Sequence, residues 1–480
     1  MGAGRLVNAG LGLVGVAIAS RYLGVDAYGA LVAGVALSGI VSVLTDLGIW
    51  NTGVREIAKR PEDAQGTLSA LLTLGLCLSI FAAGIGALLA FIIYSSPHEE
   101  LTRRAALLLM TTVVLSAPAG VISAYFTARQ QAFLGMVGSV ASSVFQLGGL
   151  VLADALGFSF TGVVLVYVAA SSFQFLVMLA LAAGKVRMVP SRDVRRVRRL
   201  VKDAAPLGGA MIVHNLYWRI DIVLLSVIAT STQVALYGIS YKFVDALVVL
   251  PVFITVTLLP EFARTAVDQR ERFQSIVAKS FGIMQVGTLA MAVLFVEFAK
   301  EIVSIVGGSS FDGAATVLQI LMIGVTLTYL GSTFAQALVA AEKQKNLLRI
   351  ALLLLPLNVA LNAGLIPLWG AKGAATAFAA TELLHFSALL FLYRKLAAIP
   401  LPERGPQVLL AAGLMAAVAL LKPLLPTDSA SPGVVLVVGG ALSVTVYVAA
   451  LYALHAMPRE LHTHFVAPLY TRLRPKRAGV

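Results

Sequence analysis

The chain has 480 residues, of which 59% are apolar and only 12% charged, and its mean hydropathy of +0.90 lies far outside the range of soluble globular proteins. This excludes a soluble enzyme, and it removes the nucleic-acid reading that a net charge of +13 would otherwise invite, because membrane proteins concentrate basic residues in cytoplasmic loops. At about 20 apolar residues per spanning helix, the length gives room for roughly 12 to 14 helices and no soluble domain of useful size.

The first apolar segment, 6–20, amounts to about 22 Å of helix, short of a hydrocarbon core of about 30 Å. Arg5 before it and Ala17-Ile18-Ala19 near its end give it the outline of a cleavable signal peptide. The repeat described below needs it as a helix, so a helix begun earlier or completed by its neighbours is the expectation. Segments 28–50, 67–94, 105–126, 133–155 and 161–183 follow. Cys77, the only cysteine, lies inside the third, so there is no disulfide framework and no thiolate metal site. The stretch from Lys185 to Lys202 holds eight basic residues and reads as a cytoplasmic hinge, either a plain topology anchor or a contact for anionic lipid. Beyond it come 204–229, 235–259, 276–298, 314–340, 350–368, 373–393, 407–421 and 433–454, which makes fourteen helices. With the N-terminus in the cytoplasm, about 28 of the 36 Lys and Arg fall in cytoplasmic loops or tails and about six outside, which puts both termini in the cytoplasm.

The two halves repeat weakly. Tyr28-Gly29 recurs as Tyr237-Gly238, Glu56-Ile57-Ala58-Lys59 as Glu261-Phe262-Ala263-Arg264, and the pair Ala128 and Gln131 as Ala341 and Gln344, at offsets of 209, 205 and 213 residues. Six helices separate the copies, an even number, so the lobes share one orientation and are related by a pseudo-two-fold axis along the membrane normal. The expected organisation is an N-terminal lobe of helices 1–6 (1–190), a C-terminal lobe of helices 7–12 (191–398), and helices 13–14 with a cytoplasmic tail (399–480).

Four segments carry a resemblance. Arg21 to Gly29 (RYLGVDAYG), Thr45 to Arg60 (TDLGIWNTGVREIAKR), Tyr217 to Pro251, and Ala340 to Asn346 followed by Pro356 to Ala377 (PLNVALNAGLIPLWGAKGAATA) stand in the order and at the spacing of polysaccharide flippases. The chain thus resembles that branch of the multidrug/oligosaccharidyl-lipid/polysaccharide exporter superfamily over nearly its whole length. The resemblance implies translocation of a lipid-linked oligosaccharide, an undecaprenyl or dolichyl diphosphate sugar, from the cytoplasmic to the outer leaflet of the cell membrane. It also implies a central cavity lined by helices 1, 2, 7 and 8, and membrane lipids and glycan-assembly proteins as partners.

Buried charge gives an independent view of the site, because an ionisable group within a span is costly and marks function by default. Helix 7 carries His214, Arg219 and Asp221, helix 8 carries Lys242 and Asp245, and helix 12 carries Glu382 and His385. Counting about 1.5 Å per residue from the outer helix ends puts Arg219, Asp221, Lys242, Asp245 and Glu382 in one layer roughly 10 to 15 Å deep. Arg219 and Lys242 are the expected anchors for a diphosphate or acidic sugar, since Arg offers a bidentate fork and Lys a mobile point charge. Asp221, Asp245 and Glu382, with Asp46 as a further candidate, are the expected carriers of a coupling H+ or Na+, because protonation in a desolvated layer responds to which side the cavity faces. No cofactor or resident metal is called for.

The same residues admit plainer roles. Lys242 and Asp245, three apart on one helix, can neutralise each other, and Arg219 can meet Asp245 or Glu382 in a structural ion network. Asp46 in TDLG also fits a helix end, and lone histidines on apolar helices also fit packing. Pro356, Asn358, Asn362 and Pro367 are expected to shape helix 11. An embedded glycosyltransferase would need a large loop with catalytic groups, yet the longest outer loop, near Ala299 to Gly313, adds only Lys300, Glu301 and Asp312. There is no phosphate loop, spaced His cluster or nucleophile elbow. Within transporters, the alternative is a cation-coupled drug exporter, which a cavity richer in carboxylates would favour. A peptidoglycan-precursor flippase and a membrane scaffold complete the alternatives.

Overall fold

Backbone placed in hydrocarbon must satisfy its own N–H and C=O groups, which a helix does within a single segment. The fold, a computed structural model that describes residues 2–46, 48–266, 269–398, 404–422 and 431–458, contains helices and no strand among those residues. The tail beyond 458 and the side chains of Arg5 and His214 lie outside the described residues.

In chain order the helices are α1 (Gly2–Asp46), α2 (Ile49–Lys59), α3 (Ala64–Ile93), α4 (Glu100–Ala128), α5 (Ala132–Leu156), α6 (Phe160–Ala182), α7 (Val194–Ile228), α8 (Ser231–Leu247), α9 (Val249–Thr265), α10 (Arg270–Glu297), α11 (Ala299–Gly307), α12 (Ala314–Ala340), α13 (Gln344–Trp369), α14 (Ala371–Arg394), α15 (Gly405–Leu420) and α16 (Pro432–Ala453). Among the described residues, eleven helical stretches are long and apolar enough to cross a membrane, and α15 is a shorter apolar helix. The longest stretch, Val7–Lys59, breaks at Gly24 and so supplies two crossings, while α8 and α9 together supply one more. The polytopic, all-helical fold is therefore the expected one. Large apolar side chains stand exposed along the helices, among them Phe81, Ile92, Leu353 and Val437, as they must where the solvent is lipid.

Three local features differ from the sequence expectation. The first helix is not short: it runs from Gly2 to the break at Gly24, about 33 Å at 1.5 Å per residue, enough to span. The break is a glycine because its φ of 73° is the left-handed region that other residues disfavour. The eighth segment is two helices, α8 and α9, parted at Val248. Pro251 explains this, since the helical donor to the Leu247 carbonyl would be the N–H that proline lacks. Tyr329 supplies the missing donor, its hydroxyl lying 2.7 Å from the Leu247 oxygen. The third difference is α11, which occupies most of the stretch expected to be an outer loop.

The chain divides into two compact units. The first comprises Met1–Ala246, Val306–Val317 and Ala351–Phe378. Within it α4 packs against α1, α3 and α6, and Ile57, Leu68, Leu71, Ile122 and Phe126 form a buried core. Asn362 bonds to the carbonyl of Asn358 at 2.9 Å and to its side-chain oxygen at 3.0 Å, one turn back along α13.

The second unit comprises Leu247–Ile305, Leu318–Ile350 and Ala379–Val480. Here α15 and α16 pack on α10 through Val286, Ala411, Met415 and Tyr447, and the Tyr447 hydroxyl donates to the Val286 carbonyl at 2.8 Å. Lys422, at the end of α15, pairs with Glu301 at 3.1 Å, donates to the Glu297 carbonyl and lies 5.3 Å from the centre of the Phe298 ring. A cation held by a carboxylate, a carbonyl and an aromatic face is a structural clasp for the last helices.

Candidate substrate cavity

A cavity of about 250 Å³ lies within the first unit. Both halves of α1 contribute to its wall, through Leu11 to Val16 and through Tyr28 to Ala36, and α7 and α8 contribute Arg219, Tyr241, Lys242 and Asp245. These are the four helices that the resemblance implied. Ser143, Gln146 and Leu147 of α5 and Tyr167 of α6 also line it, which the sequence reading did not foresee. A mid-span amide and tyrosine on otherwise apolar helices were the available signal.

The helices approach closely because the repeated Tyr-Gly pair stands where they cross. A Cβ on Gly29 would overlap the carbonyl oxygen of Ser231, and one on Gly238 would press into Val32. Thr232 donates to Asp26 at 2.6 Å at the same crossing. The first glycine of the repeat thus admits the start of α8, and the second admits the second half of α1.

Arg219, Lys242 and Asp245 come together. The Arg219 Nη2 lies 3.8 Å from Oδ1 of Asp245, and the Lys242 Nζ lies 3.8 Å from Oδ2. One carboxylate therefore faces two cations, one oxygen to each. Both separations exceed a direct hydrogen bond, and all three side chains keep over a third of their surface exposed, so each pair contributes only about 0–1 kcal/mol. The wall carries an excess of positive charge with donors not committed to short bonds.

The other predicted residues are placed elsewhere. Asp221 is 2% exposed; it accepts hydrogen bonds from the Tyr237 hydroxyl and from the Ile222 N–H at 2.9 Å, and it is not among the cavity's described lining. Tyr237 stacks on Tyr241 with ring centres 5.5 Å apart, and the Tyr241 hydroxyl donates to the Trp218 carbonyl at 2.5 Å. The Asp221 contact therefore belongs to a buried α7–α8 seam behind the wall. Glu382 lies in the second unit, 1% exposed, where it accepts from Thr328 at 2.8 Å with the His385 Nδ1 at 3.6 Å. Asp46, the last residue of α1, accepts from the Trp50 N–H at 3.0 Å, which satisfies one free donor in the first turn of α2. The single charged layer of five thus resolves into three residues on the cavity, one behind it and one in the second unit.

The sequence pattern of the family described as "polysaccharide biosynthesis protein" matches residues 1–266, more than half of the chain. The chain belongs to that family. No curated protein matches it by sequence. Among solved structures, the inward closed conformation of the lipid II flippase MurJ matches this member of the polysaccharide biosynthesis family with a TM-score of 0.79 at 14% identity, covering 94% of this chain and 98% of that one. An inward-facing multidrug resistance MATE family transporter of the MOP superfamily matches with a TM-score of 0.64 at 15% identity, covering 83% and 99%. A MOP superfamily transporter from Pyrococcus furiosus, described as having a binding pocket of reverse polarity, matches at 0.56 and 14% identity, covering 83% and 95%. At these identities the likeness establishes the fold, which this family member shares with the MOP superfamily.

Proposed function

We propose that this protein is an alternating-access flippase that carries a lipid-linked oligosaccharide, a polyprenyl diphosphate sugar, across the cytoplasmic membrane for cell-surface polysaccharide assembly. The observation that carries the reading is the cavity wall with Arg219 and Lys242 set against a single carboxylate, Asp245. A diphosphate bears about two negative charges and cannot cross hydrocarbon bare, so its hydration must be replaced by donors. Arg219 offers a fork to phosphate oxygens and Lys242 a mobile charge, while the polyprenyl tail stays in the bilayer. Both cations come from α7 and α8, so binding is centred on one side of the cavity. The family's description and the likeness to a lipid II flippase support the same reading. The drug-exporter alternative is less well served by a wall on which cations outnumber carboxylates.

The basic-residue bias supports cytoplasmic termini. The two six-helix repeats act as the rocking lobes, and the carboxylates Asp221, Asp245, Glu382 and Asp46 are the candidates for coupling to H+ or Na+.

The test is translocation by variants at normal abundance. Arg219→Ala and Lys242→Ala should stop it while the protein still inserts, and Arg219→Lys should keep the fold but weaken substrate binding by losing the fork. Full transport by both alanine variants would eliminate the anion-anchor role.

A further inference from the structure

A second cavity, about 370 Å³, lies within the first unit and carries no charged residue in its described lining. Asn8 on α1, Trp50 on α2, Ser116 and Thr127 on α4, Ser139 on α5 and Gln174 on α6 face it. It lies along helices shared with the charged cavity: Asn8 stands one turn before Leu11 and Gly12, and Ser139 one turn before Ser143, and those later residues line the charged cavity. On an α-helix one turn is about 5.4 Å, so a bound headgroup longer than a diphosphate can reach from one cavity to the other.

The hydrogen-bonding character of this second cavity is specific. Ser116 donates to the Val113 carbonyl at 2.8 Å, Thr127 to the Ser123 carbonyl at 2.8 Å and Ser139 to the Met136 carbonyl at 3.0 Å. Each hydroxyl hydrogen is thus spent on the helix, leaving the oxygens as acceptors. Asn8 gives its Nδ2 to Ser139 at 3.0 Å, and its Oδ1 has no hydrogen-bond partner among the described residues, an unmet acceptor beside the cavity. The site is uncharged and offers these oxygens as acceptors beside the Gln174 amide and the Trp50 indole N–H as donors, a mixture that suits sugar hydroxyls, which both donate and accept, better than a dianionic phosphate with no cation to meet it. The Trp50 indole adds an apolar surface with a polar edge, suited to the C–H face of a sugar ring.

We propose that this cavity is a binding site for a neutral sugar residue of the glycan, remote from the diphosphate that Arg219 and Lys242 hold. The inference rests on the flippase reading above. The sugar next to the diphosphate stays in the charged cavity beside Gln146 and Tyr241, and a later sugar occupies the neutral one. The site therefore selects for glycan length and composition without contributing to phosphate binding.

The test uses the full chain in vesicles with two substrates: a polyprenyl diphosphate bearing one hexose, and one bearing the host's complete oligosaccharide. A Cβ on Gly120, in the wall of the neutral cavity, meets nothing within 4 Å, so Gly120→Leu fills the space without a backbone clash. Thr127→Val removes one acceptor and keeps the side chain's shape. Gly120→Leu should slow the oligosaccharide substrate by about tenfold and leave the single-hexose substrate within about twofold, with Thr127→Val giving a smaller loss of the same pattern. Equal slowing of both substrates, or slowing of neither, would overturn the proposal. Arg219→Ala should stop both substrates, which separates the two sites. A wild-type protein that moves neither substrate would overturn the flippase reading and this inference with it.

Discussion

The hydroxyl of Tyr237 on α8 donates to the carboxylate of Asp221 on α7, and both residues are buried. The bond joins the two helices that carry the cavity's cations, Arg219 on α7 and Lys242 on α8. Tyr237→Phe leaves a buried carboxylate short of one donor and should destabilise the protein by about 1–3 kcal/mol. Thermal unfolding in detergent measures this, and a double-mutant cycle with Asp221→Leu should recover part of the loss, because both polar partners are then gone. Full additivity of the two changes would count against the bond.

Asp245 competes with substrate for the two cations it lies between. Asp245→Asn should change stability by no more than about 1 kcal/mol, as expected for partly exposed pairs at 3.8 Å. It should also lower the KM for an anionic lipid-linked substrate, most clearly at low ionic strength. A raised KM would mean instead that Asp245 accepts hydrogen bonds from the substrate.

The close approach at Gly29 brings the second half of α1 against the start of α8, and with both termini in the cytoplasm it is expected to close the cavity on its outer side. Gly29→Leu should hold α1 away from Ser231 and leave the cavity open outward. In a Cys77→Ser background, a cysteine at Thr232 should label faster with an impermeant maleimide added to intact cells when Gly29 is replaced. Unchanged labelling would rule the seal out, and labelling only in inverted vesicles would reverse the topology.

Glu382 and Asp46 are separated as coupling candidates by what surrounds them. Glu382 is enclosed, with Thr328 and His385 as neighbours, whereas Asp46 is committed to the α2 N-terminus. Glu382→Gln should abolish the ion dependence of transport. Asp46→Asn should keep it, since an Asn side-chain oxygen accepts the Trp50 N–H as Asp does, and Asp46→Ala should cost about 0.5–1.5 kcal/mol of stability. Ion-flux assays in vesicles with imposed gradients decide both cases; an unchanged ion response in Glu382→Gln would remove that residue from the coupling step.

The helices and the cavity's cations were legible in the sequence for a simple physical reason: apolar length marks a span, and charge inside a span is rare enough to point at itself. Arg219, Lys242 and Asp245 were found in this way. Depth along a helix axis does not say which way a side chain points around it, so the sequence could not show that Asp221 turns into the α7–α8 seam and not toward the cavity. The neutral lining was hidden because Gln146, Tyr167, Asn8 and the serines are ordinary residues of membrane helices. Only tertiary packing gathers them, and no spacing along the chain announces it. The break at Val248 could have been read from Pro251, but the donor that repairs it, 82 residues away, could not.

That repair has a consequence for biogenesis. When α8 and α9 leave the ribosome, the Leu247 carbonyl has no partner within its own helix, and in hydrocarbon an unpaired carbonyl is costly. Its donor, Tyr329 on α12, is not yet made. The pair must wait in a provisional state, at the translocon or with a water molecule retained, until α10 and α12 have been synthesised and docked. Maturation of this segment is therefore post-insertional, and a Tyr329→Phe chain should show its defect in the yield of newly made protein before any defect in transport.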